Sequence, residues 1–533
     1  MHTRHWLNYL QEATRTFRML AIESTGGLFY EECVRYLLEE IHSCGDLQLI
    51  CMDFLGAMKG ASVFHTNEMR TRYKTINASE ILKGVDWEMY GQTMGRELLN
   101  LDISSLLEGE YSLKTHSERA FVANLTFNGL RLGNYLIAFI YRQNLMNINC
   151  SKESGNTIKK NIADLLRIYL YCDYLHRIKK VQYAIFTHDV YEKGWTSECM
   201  GFLGIKVFHP HKFTYSYSKN INYEVKELGN NCSEYTNHFR WEASMRGTKN
   251  YSKDEVSYTL KNLIKTPTVD SGDSNNTGIG MEDIKINSLM KSQIVSGPEE
   301  IQNILTQSNR EPSRIVFLYM NSFADGLHQN GYSGFPTLDD YYSIVANLAL
   351  SFDKKSHLAI KPHPHVFDSR HKERRADLYQ LEVDGIGRLI DGIEKEHQSR
   401  LIIITPHASN YSILNNNYGC KKLLITHHGS IGIEAQYIGV DVICSRIAPY
   451  AELGLNEKTF TNKYQLMNLI NDVMTGTGDN SQNSVSEKVR SRIETIYRVG
   501  LPIGSFNLIE SKIEPKMIKY EARRLMAALV GRQ

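Results

Sequence analysis

Apolar residues along this chain fall into short runs that stop at polar clusters, each followed by a segment with helical spacing. The clearest case is 421–444, KKLLITHHGSIGIEAQYIGVDVIC. Leu423 to Ile425 is a short apolar run that halts at Thr426-His427-His428-Gly429-Ser430, and Ile431 to Ile438 follows with helical periodicity. Gly439 is placed to end that helix, and Val440 to Cys444 reads as the next buried parallel strand, giving a compact βαβ unit. Ligands of such units bind beyond the carboxyl ends of the strands. Here that edge carries Thr426, Gly429 and Ser430, and the free N–H groups at the helix start, with roughly half a positive charge, suit an anion such as a phosphate. Glu434 is not explained by capping, because a capping box from Ser430 needs its acid at 433, which is Ile. With Ile431, Ala435 and Ile438 as the buried stripe, Glu434 falls on the stripe's border; the ordinary alternative is a solvated carboxylate.

The same pattern recurs. Residues 1–45 read as helices, and Leu47 to Met52 as a strand delivering Asp53. Helical patterns over 121–142 and 157–180 lead to a second βαβ unit: strand 183–187 ending at Thr187-His188-Asp189, helix from about 194 to 202, Gly204, then strand 205–208. Patterning fades from 212 to 314, and TPTVDSGDSNNTGIG (266–280) reads as a surface insertion. Strands then return at 314–320, 357–360 and 401–404. They run into Asn321-Ser-Phe-Ala-Asp325-Gly, Lys361-Pro-His363-Pro-His365 and Thr405-Pro-His-Ala-Ser409. Thr337 and Asp340 form an acidic capping box for the helix between the first two. Four strand tips of one sheet thus end in polar, anion-friendly residues, and this convergence is the main signal of a site.

The expected architecture is α/β, with two Rossmann-like domains facing across a cleft and added helices. The expected boundaries are an N-terminal domain over 1–240, a linker and insertion over 241–311, a C-terminal domain over 312–475 and a polar loop with helices over 476–533.

Composition narrows the classes. The chain has 533 residues, beyond one ordinary core. Its 61 basic and 59 acidic residues nearly cancel, which argues against a nucleic-acid partner held by bulk charge. Nine cysteines without a C-x-x-C pair suggest neither zinc nor a disulfide framework and fit a reducing cytoplasm. No window reaches the roughly 18 apolar residues of a spanning helix, so a soluble or membrane-peripheral protein is expected. Lys361, His363 and Ser430 supply donors suited to a phosphate ester. The strand-tip histidines could instead bind metal, but no acidic cluster accompanies them, so no metal site is expected.

Together the Asn321-x-Phe-Ala-Asp325-Gly loop, Lys361-Pro-His363-Pro, Ser409 and the Thr426-to-Glu434 segment resemble the capsule polysaccharide biosynthesis group of GT-B glycosyltransferases, relatives of bacterial β-Kdo transferases and polysialyltransferases. The resemblance covers roughly 312–470 well and 183–208 faintly. It implies a nucleotide-sugar donor as co-substrate with no separate cofactor, and a glycan or lipid-linked glycan acceptor. It also implies that His363 and Ser430 lie near the donor phosphates and that Glu434 lies near the ribose. The acceptor side needs a general base or nucleophile. Asp189 leads there, beside His188 and Asp53, while Asp325 is a candidate on the donor side. Rival classes are a sugar-nucleotide 2-epimerase, a CDP-glycerol-type phosphotransferase and a non-catalytic nucleotide- or glycan-binding module.

Overall fold

The structure is a computed structural model. It describes residues 19–23, 48–52, 76–83, 85, 106–107, 109–142, 152–181, 183–186, 191–208, 293–307, 312–323, 333–351, 353–364, 367, 372–373, 375–429, 431–448, 451 and 458–475. The first half contains β1 (Met19–Glu23), β2 (Gln48–Cys51), β3 (Ile76–Asn77), α1 (Ala78–Lys83), α2 (His116–Ala123), α3 (Leu132–Arg142), α4 (Lys152–Arg177), β4 (Tyr183–Phe186), α5 (Tyr191–Phe202) and β5 (Lys206–Phe208). The second contains β6 (Ile294–Val295), α6 (Pro298–Gln307), β7 (Arg314–Tyr319), α7 (Leu338–Ser351), β8 (Ser356–Lys361), α8 (Ala376–Asp391), β9 (Leu401–Ile404), α9 (Asn410–Asn415), β10 (Lys421–Thr426), α10 (Ile431–Tyr437), β11 (Asp441–Ser445), β12 (Thr459–Phe460) and α11 (Lys463–Thr475).

Each half folds around its own parallel sheet. The first sheet runs β3-β2-β1-β4-β5 and the second β12-β11-β10-β7-β8-β9-β6. Every strand pairing in both is parallel. The two Rossmann-like units expected from sequence are therefore present. Parallel strands buried on both faces explain the unbroken apolar runs: β7, β8 and β9 are buried along their whole length. On one face of the second sheet Phe317, Leu424 and Ile404 pack with Ile431, Ile433 and Ala435 of α10. On the other, Val316, Ile360 and Ile425 join Tyr341, Val345 and Ile386 in a cluster that continues into α3 and α4 of the first half.

Several expectations change. The helical reading of 1–45 fails at 19–23, where β1 is the central strand of the first sheet. The pattern over 121–142 divides into α2 and α3 around Asn128 and Gly129, both with positive φ. The second sheet also begins before 312, since Ile294 and Val295 pair with Ile403 and Ile404, within the span expected to be linker.

The halves are joined at the first turn of α7, where two consecutive aspartates are shared out. Asp340 accepts from Arg119 Nε at 2.9 Å and lies 3.0 Å from His116 Nδ1, both on α2. Asp339 accepts from Tyr141 Oη of α3 and from Arg388 Nε of α8, the latter at 2.7 Å. Thr337 Oγ1 accepts from Asp340 N at 3.2 Å, so the cap forms, but the acid of the expected capping box is spent on the other half of the molecule. Burial works to raise the Asp340 pKa, yet hydrogen bonds from Arg119 and Thr337 outweigh it and hold the carboxyl below its usual range.

Arg119→Ala takes the cation away from a carboxylate that is only 4% exposed in the wild type. A fully buried pair costs about 3–5 kcal/mol to break, and because Arg119 keeps 19% of its surface in solvent a loss of about 2 kcal/mol is expected in urea unfolding at pH 7. Because the folded-state pKa is depressed, the stability from Asp340 is complete above the usual aspartate value of about 4 and fades as the pH falls through the lower folded value. An unchanged urea midpoint for the variant would remove this contact from the account of how the halves are joined.

Candidate functional site

Where the order of the second sheet reverses, β7 and β10 lie side by side, with β8 and β9 to one side and β11 and β12 to the other. In open parallel sheets this reversal opens a crevice beyond the strands' carboxyl ends. The residues at those ends are Tyr319 to Phe323 after β7, Lys361 to Pro364 after β8, Thr405 to Ser409 after β9 and His427 to Gly429 after β10.

Across the reversal, Asn321 Nδ2 lies 2.9 Å from His428 Nε2, and His428 Nδ1 lies 2.9 Å from His427 Nδ1. With the amide donating, His428 Nε2 accepts, the His428 Nδ1–H donates to His427 Nδ1, and His427 carries its own proton on Nε2. His427 is fully buried against Tyr341 and Phe460, and burial lowers its pKa to about 3. It is a neutral core residue. His428 is half-buried and ties the β10 turn to the β7 loop. Three contacts hold that loop: Tyr342 Oη bonds both N and O of Asn321, Ser322 Oγ donates to Glu382, and Phe323 packs between Tyr141 and Arg388. A Cβ on Gly385 would come within 2.3 Å of the Phe323 ring, so this helix position is kept bare for it.

Thr426 and Gly429 shape the turn. Gly429 N donates to Thr426 Oγ1 at 3.3 Å, and a Cβ on Gly429 would lie 3.0 Å from that oxygen. The Thr426 hydroxyl is therefore engaged within the protein. Ser409 likewise caps α9, accepting from Ser412 N at 3.3 Å. α10 has seven residues, and Gly439, with φ +85°, follows it as expected.

The second group lies on the α9–α10 face. Lys361 is 2% exposed, its Nζ donates to Pro406 O at 2.7 Å, and it stands 5.5 Å from the centroid of the Tyr319 ring. Burial lowers its pKa to about 8, with the Glu434 charge opposing. Glu434 lies on the border of the buried stripe, as the helical spacing predicts, and Asn410 Nδ2 approaches its Oε2 at 3.5 Å. Part of its surface meets solvent, yet the surrounding protein is dense enough that desolvation raises its pKa to about 7, against Asn410 and Lys361. Among the described residues, Tyr319 Oη and Asn410 Oδ1 are buried without hydrogen-bond partners. His363 is half-buried at the tip of β8, and His407 Nε2 donates to Phe367 O at 2.6 Å, holding the β8 loop against the β9 loop.

Lys361, His363, Ser409, Thr426, Gly429 and Glu434 thus share one sheet edge. Asp53, His188, Asp189, Asp325, His365 and Ser430 lie outside the described residues, as does the expected insertion at 266–280. Tyr319 and Asn410 went unnoticed in the sequence, though the rule that selected Lys361, a polar group at a strand's end, applies equally to Tyr319. Among the described residues, one histidine–carboxylate trio has ligand atoms within 4.8 Å of one another, Glu394, Glu396 and His397. It sits at the 3-10 turn Lys395–Arg400, with Arg400 Nη2 2.9 Å from His397 Nδ1. No described helix is long and apolar enough to cross a membrane.

No protein-family model matches the chain, and no curated protein matches it. Among solved structures it is similar to an S. aureus MnaA–UDP co-structure, with 10% identity, 96% of this chain and 97% of that chain covered, and a TM-score of 0.25. It is similar also to UDP-GlcNAc 2-epimerase from Neisseria meningitidis bound to UDP-GlcNAc, with 13% identity, 96% and 100% covered, and a TM-score of 0.24. A third is the trehalose-6-phosphate synthase OtsA, with 10% identity, 96% and 98% covered, and a TM-score of 0.27. Scores this low transfer neither site positions nor activity, so the functional reading below rests on the chain's own geometry.

The raised Glu434 pKa makes a sign-definite prediction. The fold binds this proton more tightly than the unfolded chain does, so stability falls as the pH rises from 4.5 to about 7 and is level on either side. Glu434→Gln removes that loss: in urea titrations the variant gains on the wild type between pH 5 and pH 8. Parallel pH dependences for the two proteins would show that Glu434 ionises freely.

Proposed function

We propose that the chain is a GT-B-type glycosyltransferase that moves a sugar from a nucleotide-sugar donor to a growing capsule or surface polysaccharide, without a metal. The observation that carries this reading is the gathering of Lys361, His363, Asn410 and Glu434 at the carboxyl edge of a parallel sheet, beside its reversal point. That is where a mononucleotide-binding fold takes its nucleotide. Glu434 offers a carboxylate to a ribose diol, and His363, with Ser430, offers donors to the phosphates. In glycosyl transfer the leaving phosphate gains negative charge, and donors fixed before reaction stabilise it without a metal, each by about 3 kcal/mol.

The acceptor hydroxyl must lose its proton to a base on the first half. Asp189, after β4, is our candidate, and Asp325 is the donor-side alternative. The acceptor is a glycan or lipid-linked glycan, with the enzyme acting in the cytoplasm at the inner face of the membrane. A sugar-nucleotide 2-epimerase uses the same edge of the same kind of sheet and is the second reading.

Purified protein incubated with CMP-, UDP- and GDP-sugars, with and without glycan acceptors and EDTA, separates these. Acceptor-dependent nucleotide release that survives EDTA is expected, and His363→Ala should lower it about 10²-fold or more, the cost of removing one such donor. Epimer formed without acceptor points to the second reading, and neither nucleotide release nor epimer from any donor overturns both.

A further inference from the structure

Phe323 is gripped from more directions than a residue in a connecting loop needs. It lies two positions past Asn321 in the loop after β7 and is 1% exposed. Its ring meets Tyr342 edge-on at 5.6 Å and Tyr141 of the first half at 5.9 Å, and the Arg388 guanidinium stands 5.8 Å from its centroid. Arg388 and Tyr141 both bond to Asp339, so Phe323 closes a circuit that runs through α3, α7 and α8.

Two routes lead from this ring to the crevice. Tyr342 Oη bonds N and O of Asn321, at 2.7 and 2.9 Å, and the Asn321 amide lies 2.9 Å from His428 Nε2. The Tyr342 ring also lies 5.1 Å from that of Tyr341, which meets His427 at 5.1 Å, and His427 bonds His428. Both routes end at His428, in the turn after β10.

We infer that Phe323 is a positioning residue for the crevice of the second sheet, seated against Tyr141 so that the first half sets the gap between the β7 and β10 loops. The ligand this serves is the nucleotide, and to that extent the inference rests on the proposed site. A ring packed against two other rings and a guanidinium, over the bare Gly385, fills a seat of fixed shape. A leucine leaves part of the seat empty, and the loop settles into the space and draws Asn321 away from His428. Removing the Tyr141 ring empties the same seat from the other side. The Tyr141 hydroxyl serves a different contact, because it bonds Asp339.

The test uses Phe323→Leu, Tyr141→Leu and Tyr141→Phe in the full chain. Leu305→Ala, on α6 and in the cluster on the opposite face of the sheet, is the control for general loosening. Each is checked by thermal melting and studied below its transition, with methionine in place of any leucine variant that does not fold. Imidazole-nitrogen NMR of the unliganded protein reads the His428 tautomer. Wild type, Tyr141→Phe and Leu305→Ala should show His428 held in one tautomer, and the two leucine variants should show shifts averaged between both. Unmoved shifts in Phe323→Leu, or the same movement in Leu305→Ala, overturn the inference. Movement in Phe323→Leu without movement in Tyr141→Leu removes the first half from it, and Tyr141→Phe behaving as Tyr141→Leu overturns the ring contact as the link. UDP and CMP are then titrated by calorimetry, where the leucine variants should weaken whichever nucleotide the wild type binds by about tenfold and Tyr141→Phe by less than about twofold. Equal binding by all variants overturns the service to the ligand. A wild type that binds neither nucleotide counts against the nucleotide site, while the His428 shifts still decide whether Tyr141 and Phe323 set the loop.

Discussion

The pairing of β7 with β10 is the constraint on which the rest of the second half depends. β7 is followed by β8 and β9 on one side, and the chain must then cross back to lay β10 against β7's free edge. Because helices cover both faces, the only backbone that can leave the sheet without burying unsatisfied groups is at the strand ends. The crossing therefore places two loops, after Tyr319 and after Thr426, side by side at one edge. Asn321 and His428 meet there, and a chain of three hydrogen-bonding groups, ending in the buried His427, fixes the gap between them. These histidines are better understood as a brace than as catalytic groups. One is sealed among aromatic rings, and both nitrogens of the other face partners within the protein.

The same loop connects the site to the other half of the molecule. Phe323 is two residues beyond Asn321 and packs on Tyr141 of α3, whose hydroxyl reaches Asp339 at the start of α7. Asp340, next in sequence, holds Arg119 and His116 of α2. Phe323 therefore links α3 to the loop that carries Asn321. The interface combines an apolar cluster with buried ion pairs. The ion pairs constrain the relative register of the halves, since a displaced arginine would leave a carboxylate buried alone.

Much of the second half was legible in the sequence because a parallel sheet writes itself as apolar runs with polar endings. Leu401–Ile404 matches its strand to the residue, and the strands of the opening stretch and of 183–208 lie within one or two residues of expectation. β1 was not legible: Met19–Glu23 follows an amphipathic stretch whose spacing suits a helix, and only its pairing with β2 and β4 reveals it as a strand. β6 was hidden for a different reason, since a two-residue strand carries no periodicity at all. For the site, position along a strand told which residues reach the edge but not which way they face. Lys361 and Thr426 both stand at strand ends, and both turn their polar atoms to the protein. Alternation about the strand decides that, and it becomes visible only when the helices on each face are known.

The burial of Lys361 shows how one residue can serve two constraints. A lysine taken from water loses hydration that a single carbonyl bond does not replace, and its lowered pKa records that loss. An apolar residue of similar length would avoid the cost and pack as well against Tyr319, so the cost must be offset by what the charge does locally. The ammonium ties the tip of β8 to the loop after β9 through Pro406 O, as His407 does a few residues on through Phe367 O. It also supplies the one positive charge acting on Glu434 among the described residues. That charge opposes, without cancelling, the desolvation that raises the Glu434 carboxyl to about 7.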